Sequence, residues 1–221
     1  MIEIIPTILV KEFEEVKKRI KCVEKYVKWV QLDVMDGIFV ENTTWPYSEE
    51  GAKISDFKKI KTKTKTEVHL MIQDPEKVIE DWLEVTDRVI VHYESDISNS
   101  ENAVKNLIET VHKANKQIGL AINPETDVSA ARPFLKKLDL VLIMTVQPGR
   151  GGQEFKEWIL EKIRILREIW PNGNIEVDGG INPKTAKKVI EAGANLICAG
   201  TYIFTSKNTK IAINNLKNSY A

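Results

Sequence analysis

Three side chains suited to metal binding or proton transfer stand at or near the ends of segments that otherwise read as hydrophobic core. They are Asp33 in WVQLDV (29–34), His69 in TEVHLMI (66–72) and Asp178 in NIEVD (174–178). Two carboxylates and an imidazole that meet at one point suit a divalent metal ion. The same carboxylates can act as acid and base on opposite faces of a carbon beside a carbonyl group, which inverts that carbon. Each residue alone also fits a helix cap, an ion pair or a core histidine, so the prediction depends on their joint occurrence.

Glycines cluster after three of the predicted strands. The clusters are Gly149 with Gly151 and Gly152, Gly179 with Gly180, and Gly200. Backbone N–H groups of such loops, and of a helix that follows them, bind phosphate, and barrels often place a phosphate after their last two strands. Glycine is also common in ordinary turns, but three clusters in this order favour a phosphorylated substrate.

The methionines share a placement with these residues. Apart from Met1, the chain contains only Met35, Met71 and Met144, and each lies at the end of a predicted strand. Methionine is usually a flexible filler of cores. Its placement here is equally consistent with a lining of polarisable sulfur around a site.

The elements that position these residues alternate regularly along the chain. Strands are predicted at 2–9, 29–34, 66–72, 87–93, 117–122, 138–144, 174–178 and 195–200, and amphipathic helices at 12–26, 101–115, 156–170 and 183–193. Eight strands alternating with about eight helices, and no linker, predict an α/β fold, a (β/α)₈ TIM barrel with residues 1–221 as one domain. A doubly wound open sheet is the alternative, but the GxGxxG motif that favours it is absent.

Composition narrows the class of protein. The 221 residues carry 32 basic and 32 acidic side chains, and this balance argues against a nucleic-acid-binding surface. No apolar run reaches the roughly 18 residues of a membrane span, and MIEIIPTILV is a poor signal peptide because it lacks a basic leader. Two cysteines without a CxxC motif suggest no disulfide framework. We therefore expect a cytoplasmic protein that binds neither nucleic acid nor membrane.

With these residues in view, the chain resembles the ribulose-phosphate 3-epimerase family over nearly its full length. The matching motifs are IIPTIL (4–9), LDVMDGIFV (32–40), VHLMI (68–72), INP (122–124), VLIMTVQPGRGGQEF (141–155), IEVDGGIN (175–182) and AGTYIF (199–204). The resemblance implies a ribulose-phosphate-binding barrel and an isomerase of the pentose phosphate pathway. Such an enzyme interconverts D-ribulose 5-phosphate and D-xylulose 5-phosphate through a metal-stabilised cis-enediolate.

The resemblance also implies roles for individual residues. Asp33 matches the metal-bound proton acceptor and Asp178 the metal-bound proton donor, and the two exchange roles in the reverse reaction. His69 matches a metal ligand beside the substrate, in a site for one divalent ion such as Zn²⁺, Mn²⁺, Fe²⁺ or Mg²⁺. The residues that match the sulfurs around the enediolate and the phosphate loops are Met35, Met71, Met144, Gly149, Gly151, Gly152, Gly179, Gly180, Gly200 and Thr201, the last where Ser is usual.

Three positions depart from the family pattern. Gln31 stands in place of a metal-ligand His, Val10 in place of a substrate-contacting Ser, and Arg150 in place of a Phe. The Gln31 amide oxygen can still coordinate a hard ion, or the amide can hydrogen-bond Asp33 and leave a three-residue metal site or none. Without metal, two neighbouring buried carboxylates would raise one pKa, so that one is protonated and the other ionised.

These departures keep two other functions open besides pentose-phosphate epimerisation. One is a 3-epimerase of a ketohexose 6-phosphate, and the other is a barrel that binds a sugar phosphate without converting it. We also expect the protein to be a homo-oligomer.

Overall fold

Eight parallel strands close into a barrel in the computed structural model, which describes residues 2–220 without the side chains of residues 98, 99 and 220. Each strand pairs with its sequence neighbours, and β8 pairs with β1 to close the ring. The strands are β1 Glu3–Ile8, β2 Trp29–Met35, β3 Lys65–Met71, β4 Arg88–His92, β5 Gln117–Ile122, β6 Leu140–Met144, β7 Ile175–Asp178 and β8 Leu196–Ala199. The predicted barrel is confirmed, and the open-sheet alternative is wrong.

The helices cover the outside of this barrel less evenly than predicted. The α-helices are α1 Phe13–Val23, α2 Ile79–Leu83, α3 Glu101–Lys113, α4 Ile159–Ile169, α5 Pro183–Ala192, α6 Thr201–Phe204 and α7 Thr209–Lys217. Two connections, β2 to β3 and β5 to β6, contain only 3₁₀-helices, at Ile54–Lys59, Val128–Ala130 and Arg132–Phe134. Prolines interrupt both segments, at Pro46, Pro124 and Pro133, and proline in a helix interior removes a backbone donor and clashes with the preceding turn.

The remaining 3₁₀-helices are short and lie at the surface connections. They are Pro75–Lys77, Asp96–Asn99 and Asn218–Tyr220. No helix among residues 2–220 combines the length and the apolar character that a membrane crossing requires.

Two hydrophobic layers result from the alternation of side chains along each strand. The larger layer joins the outer faces of the strands to the helices, as Val30, Leu32 and Val34 of β2 do. The smaller layer fills the barrel interior and is formed by Ile5, Ile90, Ala121, Leu140, Leu142, Met144, Val146, Leu196 and Cys198. The interior layer has few bulky residues on β2, β3 and β7, where polar side chains replace them.

Strand register brings the predicted site residues to the same height. Asp33 is the Cα partner of His69, and Met35 is the partner of Met71. On the other side of the interior, Met144 is the partner of Asp178. The carboxyl ends of β2, β3, β6 and β7 therefore present these residues together, as the barrel prediction requires.

Candidate active site

Two aspartates, of which Asp33 is buried and Asp178 partly buried, share one amide group at the carboxyl end of the barrel. Gln31 Nε2 donates hydrogen bonds to Asp33 Oδ1 at 2.8 Å and to Asp178 Oδ2 at 3.0 Å, although Gln31 and Asp178 are 147 residues apart in the chain. Both N–H groups of the amide are thereby used on carboxylates. Gln31 is completely buried. The barrel therefore accommodates two acidic side chains side by side by placing a hydrogen-bond donor between them.

His69 completes the group that we call the carboxylate site, which consists of Gln31, Asp33, His69 and Asp178. Its Nδ1 atom lies 3.4 Å from Asp33 Oδ1 and 3.9 Å from Asp178 Oδ2. This Nδ1 atom is buried and has no hydrogen-bond partner in the described part of the chain. One ligand atom from each of Asp33, His69 and Asp178 lies within 4.8 Å of the others. An unpartnered imidazole nitrogen facing two carboxylates fits a divalent cation.

Gln31 fits such an ion less well than the other three residues. Its Nε2 donors face the carboxylates, whereas its Oε1 atom faces away, 3.4 Å from the Cys198 thiol. An amide coordinates metal through its oxygen, which here points to the opposite side. The sequence left open whether residue 31 coordinates or only hydrogen-bonds, and the geometry of the amide corresponds to the hydrogen-bonding alternative.

The two carboxyl groups differ in their electrostatic environment. Burial, and then the neighbouring Asp33 carboxylate, raise the pKa of Asp178 from 3.8 to about 7, while His69 and the hydrogen bond from Gln31 act in the opposite direction. Side-chain exposure is 13% for Asp178, which leaves the carboxyl group reachable from the barrel mouth. At neutral pH without metal, Asp178 therefore retains its proton in a substantial fraction of molecules.

Hydroxyl groups fix the backbone at both aspartates. Thr44 Oγ1 donates to the carbonyl of Asp33 at 2.7 Å and accepts from the N–H of Met35 at 2.9 Å. Thr145 Oγ1 donates to the carbonyl of Asp178 at 2.8 Å. Both threonines are completely buried, so the strand ends that carry the carboxylates are held rigidly.

A cavity of about 570 Å³ opens above the carboxylate site. Its lining includes nearly all the residues predicted from the sequence, namely Asp33, Met35, Met71, Met144, Gly149, Gly151, Gly152, Asp178, Gly179, Gly180, Gly200 and Thr201. Asn42 Nδ2 connects two sides of this cavity, since it donates to the carbonyl of Gly149 at 3.0 Å and lies 3.6 Å from Met35 Sδ. The cavity therefore has carboxylates and sulfurs at its floor and glycine loops at its rim.

Gly180 shows why one of these loops requires glycine. Its φ angle is +62°, and a Cβ atom there would lie 2.8 Å from the backbone nitrogen of Phe155. Its carbonyl accepts a hydrogen bond from Thr185 Oγ1 at 3.0 Å. Thr185 belongs to the first turn of α5, whose N-cap Asn182 accepts from Lys184 and Thr185. The turn after Asp178 is thus anchored to the start of a helix, with its backbone facing the cavity.

Three residues named in the sequence analysis, Gln31, His69 and Val10, lie outside the cavity lining. Gln31 and His69 are completely buried and lie behind the aspartates, outside the cavity lining. Val10 is also buried outside the lining, and its carbonyl accepts from the N–H of Trp45 at 3.0 Å. Arg150 is exposed and lines the rim of the cavity among the glycines.

A second polar group lies one layer deeper, and sequence reasoning missed it. We call it the inner cluster; it consists of Glu67, Arg88, Glu176 and Cys198. Arg88 Nη1 lies 2.5 Å from Glu67 and 3.7 Å from Glu176, and its guanidinium stacks 3.9 Å from the centre of the Trp29 ring. The i, i+2 spacing of Glu67 from His69 and of Glu176 from Asp178 was the available signal, since these residues point into the same interior.

A histidine and a glutamate support His69 from the side away from the cavity. His92 Nε2 lies 2.8 Å from His69 Nε2, and His92 Nδ1 lies 3.3 Å from Glu94 Oε2. His92 is the last residue of β4, and the sequence patterns assign a role neither to it nor to Glu94. Their signal was the HYE tripeptide at a predicted strand end.

The fold and this site together define a (β/α)₈-barrel protein with paired carboxylates beneath a glycine-rimmed cavity. Sequence comparison identifies the family of this protein, since the profile of the ribulose-phosphate 3 epimerase family matches residues 3–204. The chain belongs to this family. It is 36% identical to the ribulose-phosphate 3-epimerase of Bacillus subtilis, over 99% of this chain and 100% of that protein. It is 35% identical to the Schizosaccharomyces pombe ribulose-phosphate 3-epimerase, over 98% of this chain and 93% of that protein.

Solved structures with a similar fold belong to several enzymes. A 3-hexulose-6-phosphate synthase matches with a TM-score of 0.72 at 16% identity, over 99% of this chain and 100% of that one. Orotidine 5′-phosphate decarboxylase from Pyrococcus horikoshii matches with a TM-score of 0.67 at 18% identity, over 98% of both chains. At this identity the likeness concerns the barrel and not the reaction.

Proposed function

We propose that this protein is a ribulose-phosphate 3-epimerase that interconverts D-ribulose 5-phosphate and D-xylulose 5-phosphate. The observation that carries the proposal is the pair Asp33 and Asp178, two carboxyl groups at the floor of one cavity, of which Asp178 has a pKa raised to about 7. Relatives that are 33–39% identical over at least 97% of this chain bear the name of this activity. A barrel that only binds sugar phosphate would have no use for both an acid and a base.

The reaction then proceeds by two proton transfers at C3 of the substrate. The Asp33 carboxylate removes the C3 proton from one face, and the adjacent carbonyl becomes part of an enediolate. The protonated Asp178 returns a proton to the other face, and the configuration at C3 is inverted. In the reverse direction the two residues exchange roles. General acid–base catalysis of this kind contributes about 10²- to 10⁴-fold to a rate.

The remaining cavity residues bind and orient the substrate. Met35, Met71 and Met144 surround the reacting carbons with apolar sulfur, which excludes water from the enediolate. The phosphate lies against the loops that contain Gly149, Gly151, Gly152, Gly179, Gly180, Gly200 and Thr201. Arg150 at the rim adds a positive charge near that phosphate. Val10, buried outside the lining, makes no direct contact in this arrangement.

Asp33, His69 and Asp178 would hold one divalent metal ion. When bound there, the ion supplies positive charge that stabilises negative charge developing on the substrate oxygens. Gln31 keeps the two carboxylates in place through its N–H groups and is not a ligand in this proposal. We further propose that residues 1–221 form one domain, and that the protein is cytoplasmic and forms a homo-oligomer.

The test is proton exchange at C3 in D₂O. Purified protein is stripped with a chelator, divided into metal-free, Zn²⁺ and Mn²⁺ samples, and incubated with D-ribulose 5-phosphate while NMR follows deuterium at C3 and the appearance of xylulose 5-phosphate. We expect both signals in wild type and a loss of at least 10²-fold in Asp178→Asn. Asp81→Asn, an exposed aspartate on α2, is the matched control and should retain full activity.

A parallel sample contains a ketohexose 6-phosphate and distinguishes the two sugars. Faster exchange with the hexose would contradict the pentose assignment while keeping the acid–base chemistry. No exchange with either sugar in any sample would favour the binding-only barrel and overturn the proposal.

A further inference from the structure

Three side chains form a continuous chain behind the carboxylate site. Glu94 Oε2 lies 3.3 Å from His92 Nδ1, and His92 Nε2 lies 2.8 Å from His69 Nε2. Both imidazoles are completely buried, and their ring centroids lie 4.9 Å apart with 24° between the ring planes, so the rings meet edge to edge at their Nε2 atoms. The chain ends at His69 Nδ1, the unpartnered atom that faces Asp33 and Asp178.

The Glu94 carboxylate determines which atom donates in each of these hydrogen bonds. Its Oε1 atom accepts from the backbone N–H of Asn123 at 2.7 Å and from the Thr126 hydroxyl. An ionised carboxylate can only accept hydrogen bonds, so the proton between Glu94 and His92 resides on His92 Nδ1. A neutral imidazole has one N–H and one acceptor nitrogen. His92 Nε2 is therefore the acceptor, and the proton between the two rings resides on His69 Nε2.

We propose that Glu94 and His92 are positioning residues that set the tautomer of His69, so that its Nδ1 lone pair is directed at the metal position. The inference rests on the metal site of the proposed function and adds the residues that prepare it. Partners that hold the second nitrogen of a ligating histidine fix its tautomer and orientation, and their loss typically weakens metal binding about 10- to 100-fold. The Phe39 ring, 4.8 Å from the His92 ring, packs against this imidazole from the β2 loop.

Glu94→Gln tests the inference because it should reverse the direction of every hydrogen bond between residue 94 and His69. The amide oxygen is required by the N–H of Asn123 and the hydroxyl of Thr126, so the amide NH₂ group is left facing His92 Nδ1. His92 must then accept at Nδ1 and donate from Nε2, and His69 must accept at Nε2. The His69 proton moves to Nδ1, where it blocks coordination.

Two readouts follow this change, and neither uses a sugar phosphate. Nitrogen-15 NMR of the metal-free protein reports which nitrogen of His69 carries the proton, and titration with Co²⁺ gives the metal dissociation constant. We expect an Nε2–H tautomer of His69 in wild type and an Nδ1–H tautomer in Glu94→Gln, with Co²⁺ bound about 10- to 100-fold more weakly.

The control is Glu125→Gln, the neighbouring exposed carboxylate that pairs with Lys156; it should leave both readouts unchanged. An Nδ1–H tautomer of His69 in the wild-type protein would overturn the inference, whether or not the variant folds. The same holds if Glu94→Gln leaves the tautomer and the Co²⁺ affinity unchanged. A missing epimerase activity with the expected tautomers would count against the proposed function alone.

Discussion

The carboxylate site and the inner cluster are adjacent layers of the same barrel, and each contains two carboxyl groups that are buried or nearly so. The inner cluster includes its own cation, because Arg88 lies between Glu67 and Glu176. In the described part of the chain, the polar neighbours of the two carboxylates in the carboxylate site are instead the Gln31 amide and the His69 Nδ1 atom. Burial opposes ionised carboxylates in both layers. The difference indicates that the inner cluster takes its cation from the chain itself, whereas the carboxylate site is suited to a cation from outside.

Removing the internal cation should have the largest effect. Arg88→Met leaves Glu67 and Glu176 buried without a positive partner, and breaking a buried pair in this way costs about 3–5 kcal/mol of unfolding free energy. Urea unfolding of the metal-free protein measures it. Arg164→Met, which removes an exposed arginine paired with Glu161, should stay within about 0.5 kcal/mol of wild type. A similarly small change in Arg88→Met would mean that Arg88 does not balance the inner layer.

Adding a divalent metal ion should stabilise the protein through the carboxylate site and not through the inner cluster. Metal at 100 times its dissociation constant should raise the unfolding free energy of wild type by about 2.7 kcal/mol. His69→Gln should lose this gain because it replaces the nitrogen that faces the carboxylates. Glu67→Gln, a change in the inner cluster, should retain it. Equal gains in the two variants would show that the ion binds elsewhere.

Replacing Gln31 should make the carboxylate site a stronger metal site and so increase its difference from the inner cluster. Gln31→His replaces two N–H donors with an imidazole that offers a lone pair, and we expect metal binding to become about tenfold tighter, or about 1.4 kcal/mol. Calorimetric titration of the stripped protein with Mn²⁺ and Zn²⁺ measures this. Weaker binding of both ions by the variant would identify the Gln31 amide as a better partner for the site than an imidazole.

The pH dependence of stability should give the smallest effect when it is compared over a single pH unit, about 1 kcal/mol. Unfolded, Asp178 releases its proton near pH 3.8, whereas in the folded metal-free protein its pKa is about 7. Between these values the folded state binds more protons, so its stability falls as the pH rises. Asp178→Asn removes this term, and its unfolding free energy should fall less steeply from pH 4 to pH 7, by about 1 kcal/mol per pH unit. Parallel curves for the two proteins would contradict the raised pKa.

Sequence patterns predicted the carboxylate site better than the inner cluster. Asp33, His69 and Asp178 interrupt apolar runs at strand ends, where a barrel collects its site, and the structure brings all three together. The strands were predicted to within about two residues because their apolar, β-branched runs are short and clearly bounded. The connection from β2 to β3 was less predictable, because tertiary packing holds its irregular backbone.

The inner cluster and the support of His69 could not be predicted in the same way. The spacing of Glu67 from His69 directs Glu67 to the barrel interior, but Arg88 looks like an ordinary charged residue at the start of a strand. Only the register that pairs the two shows that they meet inside the barrel. Whether Gln31 coordinates or hydrogen-bonds depends on which end of its amide faces the carboxylates. That orientation depends on the packing of β8, where the Cys198 thiol lies beside Gln31 Oε1.

Closure of the ring has a consequence for how the protein could be divided. Asp33 and His69 lie on β2 and β3, whereas Asp178 lies on β7. A cut between β4 and β5 would leave the proposed proton acceptor Asp33 and the imidazole on one fragment and the proposed proton donor Asp178 on the other. Neither fragment would contain a complete acid–base pair. Activity recovered on mixing the two halves would therefore count reassembled barrels, which makes this chain a natural reporter for fragment complementation.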